Sequence, residues 1–146
     1  MKRLLLLLCG LFYGLHTTGG GLPPMADEMK TVDAAHPTTR YDAEDLDRSS
    51  GDKFLLFEIV EVINPHTIPL AFSVHYHPPG RERIHLGGFA LFPADNPGRF
   101  IVATQGKVER SGEVLLTLEP LEPAEGAQTV KVRLAPVRLI ETLESP

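Results

Sequence analysis

Phe54-Leu55-Leu56-Phe57-Glu58-Ile59-Val60-Glu61-Val62-Ile63 is the stretch that decides the fold. It is rich in β-branched and aromatic residues and apolar on both parities, which predicts a central strand covered on both faces. Asn64-Pro65-His66 supplies a turn. The chain then runs from Ile68 to His77 and alternates after Pro69. Leu70, Phe72, Val74 and Tyr76 point one way, while Ala71, Ser73, His75 and His77 point the other. Pro78-Pro79-Gly80 ends this strand, because successive prolines remove ladder donors. Arg83 to Phe92 resumes, with Ile84 and Leu86 on one face and Arg83 and His85 on the other. Gly87-Gly88 predicts a bulge that re-phases Phe89 and Leu91.

Working outward, Pro93 to Gly98 is a turn, and Arg99 to Thr104 and Glu113 to Leu121 are strands. Thr129 to Glu141 forms the last strand, broken or edge-placed by Pro136. No window past residue 54 sustains an apolar i, i+3, i+4 pattern. Six or seven strands at a spacing of roughly ten residues predict an all-β fold. The expected form is an antiparallel Greek-key sandwich, or a partly open barrel, over residues 53–143.

Upstream, residues 1–21 read as a signal peptide. Lys2 and Arg3 form a positive region, and Leu4 to Leu15 an apolar run of twelve residues, too short to cross a bilayer as a helix. The leader predicts a secreted or periplasmic protein with no transmembrane span in the mature chain. The alternative is a start at Met25, which would leave a cytoplasmic chain. Residues 22–52 hold few large apolar side chains and many acidic ones, and read as a disordered linker with one helical turn near Ala43 to Leu46. Asp42, Glu44, Asp45 and Asp47 lack the ordered spacing of a calcium loop.

The chain has 146 residues, enough for one ordinary domain, and 42% of them are hydrophobic. A net charge of −5 leaves no basic surplus to displace counterions, so nucleic acid is not an expected partner. Cys9 is the single cysteine and falls in the leader; its removal leaves no disulfide, no thiolate nucleophile and no type-1 copper ligand.

His75, His77 and His85 are the candidate metal ligands. The five-residue loop from Pro78 to Glu82 would pair His77 with Arg83 and His75 with His85. Opposed side chains lie about 4.5–5.5 Å apart at Cβ, so three imidazoles could converge on copper or zinc, with Glu82 or His66 completing the set. The competing reading makes them solvated histidines on a polar hairpin face, beside Arg81 and Arg83, which repel a cation. Glu58 and Glu61 fall on opposite parities and would not act as an acid–base pair. With no nucleophile elbow and no phosphate loop, the chain reads as non-enzymatic and without a required cofactor.

Three segments carry a resemblance: Ala71-Phe72-Ser73-Val74, Ile84-His85-Leu86-Gly87-Gly88-Phe89, and Val114-Leu115-Leu116-Thr117-Leu118-Glu119-Pro120. Together they resemble the C-terminal β-sandwich of plant-type polyphenol oxidases, of the tyrosinase family. That family has a K-F-D-V segment, a later Gly-small-Phe segment and a V-T-L-x-P segment before a final strand, where Val130-Lys131-Val132-Arg133-Leu134 to Ile140 falls here. The similarity spans Phe54 to Glu141, and Ser73 replaces the family's acidic residue. The family's chemistry belongs to a separate helical copper domain that nothing here encodes. The resemblance therefore implies a binding or accessory module that shields or docks on a copper oxidase-like protein partner. In such a lid an aromatic ring plugs the partner's mouth, a role open to Tyr76 at its strand's end, although parity sends Tyr76 to the core. The second functional reading is a copper- or zinc-binding protein using the histidine cluster.

Overall fold

The computed structural model describes residues 29–142. The expected signal peptide, with Cys9, lies outside the described residues, as do residues 22–28 of the expected linker. Ten strands follow: β1 (Lys30–Asp33), β2 (Thr38–Asp42), β3 (Asp47–Ser50), β4 (Phe54–Ile63), β5 (Leu70–His77), β6 (Ile84–Ala90), β7 (Gly98–Ala103), β8 (Glu113–Pro120), β9 (Lys131–Leu134) and β10 (Arg138–Ile140). No α-helix occurs among the described residues; Ala127–Thr129 form one 3-10 turn. The all-β expectation holds. The strands make two separate sheets, one of six and one of four, rather than a closed barrel.

β4 organises the larger sheet. Along one side it pairs with β7, from Phe54 opposite Ala103 to Ile59 opposite Gly98. Along the other side β9 and β10 lie end to end, β9 against Ile59 to Ile63 and β10 against Phe54 to Leu56. They are one strand interrupted at Pro136, as the proline's missing donor predicts. Leu55, Phe57 and Ile59 are buried, but Phe54, Leu56 and Val60 are only half-buried, so the outer face of this strand is less covered than its composition predicts. The register shifts between Ile59 and Glu61, which makes Val60 a bulge. This overturns the parity reading of the carboxylates. Glu58 and Glu61 both emerge on the outer face, each against its own cation, Arg99 at 3.7 Å and Arg133 at 2.9 Å.

β5 plays the same central part in the smaller sheet, between β6 and β8. Leu70, Phe72, Val74 and Tyr76 face the core in the alternation read from the sequence. The predicted bulge is present: Val74 pairs with Gly87 but His75 pairs with His85, leaving Leu86 as the extra residue. Gly87 has φ of 151°, and a Cβ there would sit 3.3 Å from the Val102 side chain. Beyond the bulge Phe89 turns inward. It stacks on Phe100 at 4.4 Å and on Phe72 at 5.0 Å, and lies 5.7 Å from Phe57, joining β6 of one sheet to β4 and β7 of the other.

The linker reading fails over residues 30–50, which form β1, β2 and β3 and belong to the domain. β1 pairs with β9 and β2 with β8, both antiparallel. Val32, Tyr41, Ala43 and Leu46 are all buried in the common core. The segment near Ala43 is a turn closed by the Asp45 N–H donating to Asp42 O at 3.1 Å, and not a helix. The reason is positional. These are edge strands of four or five residues, and edges carry short, polar segments with few inward side chains. The Lys30 ammonium also lies 4.5 Å from the Tyr41 ring centre and so ties β1 to β2 across the two sheets. A second correction concerns strand direction: β10 runs parallel to β3, so the larger sheet is mixed and not wholly antiparallel.

Candidate functional site

The histidine hairpin forms as the loop length predicts, but only in part. His75 stands opposite His85, with ring centroids 4.9 Å apart and ring planes inclined by 56°. His77 is exposed and pairs with Glu113 of β8; β6 begins at Ile84 and offers no residue opposite it. The expected three-histidine set is therefore not assembled. Among the described residues no three His, Cys, Asp or Glu side chains gather as a ligand set.

His75 is half-buried, and this loss of solvent holds its pKa below the ordinary histidine value. The neighbouring charges of His85 and Arg83 act in the same direction, and Glu119 opposes them. The folded state thus disfavours the imidazolium. Its contribution to stability is complete above the unfolded pKa of about 6.5 and is lost as pH falls from there through the folded value. Proton NMR titration is expected to show the His75 ring titrating below 6.5 and shifting upward in His85→Ala, which removes one of the two unfavourable charges. An unshifted His75 curve would count against the packing of the two rings.

Tyr76, the ring that a lid on a copper oxidase would turn toward its partner, is fully buried, and its hydroxyl donates to the carbonyl of Ser111. It is a core residue, as parity says, and is not available to a partner.

Among the described residues the fully exposed Phe is Phe92, which is 98% accessible. It lies where β4, β6 and β8 end and β5 and β7 begin. Hydrogen bonds lace this end together: Leu91 N–H to Leu70 O at 3.0 Å, and Leu121 N–H to Pro69 O at 2.9 Å. Asn64, itself buried, accepts from the Ile68 N–H at 3.0 Å and donates to the carbonyls of Ile68 at 2.8 Å and Ala94 at 3.1 Å. One side chain thereby fixes both the β4–β5 and β6–β7 loops. Leu121 and Ile63 share this end and are also exposed, at 58% and 47%. Phe92 and Leu121 are carried on loops tied down by these hydrogen bonds, and Ile63 is the last residue of β4. The sequence alone does not reveal this apolar surface, because Phe92 reads as the last residue of a strand, and an exposed apolar residue breaks no pattern that periodicity can register.

At the opposite end, a hollow lined by Asp52, Lys53, Thr104, Gln105 and Val108 is stabilised by its own polar groups. The Thr104 hydroxyl reaches the carbonyls of Asp52 at 2.9 Å and Lys53 at 3.0 Å. No known protein family, curated protein or solved structure matches this chain.

Proposed function

We propose that this chain is a non-enzymatic, exported binding module that docks on a protein partner through the loop end presenting Phe92. The observation that carries the reading is a ring 98% exposed on loops clamped by the buried Asn64. A loop backbone held in place before contact loses little conformational freedom on binding, which suits the presentation of a docking hot spot. Leu121 and Ile63 would extend the contact around it. Greek-key connectivity is supported by β7, which returns beside β4 after the β5–β6 hairpin. On the resemblance to the polyphenol oxidase C-terminal sandwich, the partner is a copper oxidase-like protein whose mouth the module shields. Phe92 then takes the plugging role that Tyr76 cannot fill.

The test is calorimetric titration of the full chain against a tyrosinase-type copper oxidase domain lacking its own cap. Phe92→Ser is expected to weaken binding at least tenfold, in line with about 2 kcal/mol for a hot-spot ring, while leaving the melting temperature unchanged. Equal affinity of the variant would remove Phe92 from the contact. No binding of the unaltered chain at tens of micromolar would remove this partner class.

A further inference from the structure

We propose that His75 and His85 form a two-imidazole chelate for a divalent transition-metal ion, Cu²⁺ foremost, on the outer face of the four-stranded sheet. The proposal is independent of the docking reading. The residues between Phe72 and Val74 pair with Phe89 to Gly87 in ordinary succession, which would next place Leu86 opposite His75. The bulge skips Leu86 and brings His85 there instead. Leu86 is buried while His85 stays exposed, so the same irregularity fills the core and sets two imidazoles side by side on the outside.

The spacing suits chelation. Two imidazoles bound to one ion at a metal–nitrogen distance of about 2.0 Å have ring centroids roughly 4.5 Å apart at a right angle and roughly 5.2 Å apart at the tetrahedral angle. The observed 4.9 Å falls between these values, and the 56° inclination differs from the parallel stacking of Phe89 on Phe100 at 10°. On the far side of His75, in the same row and on the same face, stands Leu115, which is only 2% exposed although it lies outside the main core. It gives the pair an apolar wall that limits competition from water on that side. Arg83 and Glu119 act on His75 with opposite signs, so the carboxylate relieves part of the repulsion that the arginine exerts on a cation there. Imidazole pairs of this kind bind Cu²⁺ most tightly among the first-row divalent ions, and two protein ligands leave positions open for water or exchange.

The experiment is titration of the full chain with Cu²⁺ in a non-chelating buffer, read by calorimetry and by electron paramagnetic resonance. One ion per chain with a nitrogen-coordinated signal is expected. His75→Ala and His85→Ala should each weaken it at least tenfold, while His77→Ala changes it less than twofold. His16, His36 and His66, together with Cys9, remain in every variant and give a constant background. Since His85 is exposed, its variant is expected to melt with the unaltered chain, which separates lost ligation from lost folding. Unchanged Cu²⁺ binding in His85→Ala would overturn the proposal. So would an equal loss in His77→Ala, since that would require a third imidazole in the set.

Discussion

A chain that begins at Lys53 is expected to lose cooperative folding altogether. It would keep β4 to β10 and remove β1, β2 and β3, the segment whose composition reads as a linker. The core would lose Val32, Tyr41, Ala43 and Leu46. Full burial of a Val or Leu side chain contributes roughly 1.5–3 kcal/mol, against a net stability of about 5–15 kcal/mol for a whole domain. The loss is compounded at the backbone. β8, β9 and β10 would each present a row of unpaired N–H and C=O groups where β2, β1 and β3 now pair. Thermal melting by circular dichroism compares the two chains directly. A cooperative transition within a few degrees of the full chain would show that residues 29–52 are dispensable after all.

Phe89→Ala is expected to destabilise the domain by about 2–3 kcal/mol, at or below the low end of the cost of removing a fully buried ring, because Phe89 is only partly buried against the core. Phe89 is the central ring of four and touches Phe57, Phe72 and Phe100 from both sheets. Without it β6 and β7 lose the contact that holds that side of the two sheets together. Phe89→Leu keeps most of the volume and should cost no more than about 1.5 kcal/mol. Urea denaturation reads both. A cost below about 1 kcal/mol for the alanine variant would mean that the rings are neighbours without being a keystone.

The strands legible in the sequence are the long ones. β4 to β8 carry six to ten residues each with several inward side chains, so periodicity has something to count. The glycine pair marks the bulge, and the hairpin loop length places His75 opposite His85. β1 and β2 each bury one side chain, Val32 and Tyr41, and β3 none, too few for any period. The Val60 bulge carries no glycine or proline to mark it, so parity assigns Glu58 and Glu61 to the wrong faces. Where one strand outruns its neighbour, register cannot be extrapolated; the hairpin geometry sets His77 against a β6 residue that the strand does not contain. Tyr76 is legible as a core residue because it obeys alternation. Phe92 is not legible as a surface residue, because its exposure is set by loops that Asn64 fixes through Ala94, thirty residues further along the chain.

The pairing of β1 with β9 and β3 with β10 also sets an order of events. Lys30 faces Leu134, and Asp47 faces Arg138, so the first strands wait for partners about a hundred residues further along. Contacts of such separation require closure of loops of about a hundred residues, and chains dominated by them fold slowly. During synthesis the hairpin of β5 and β6 can form early, but the smaller sheet waits for β8 and the larger for β10. Neither sheet can therefore be completed before β8 to β10 have left the ribosome, and the closing step joins strands about a hundred residues apart.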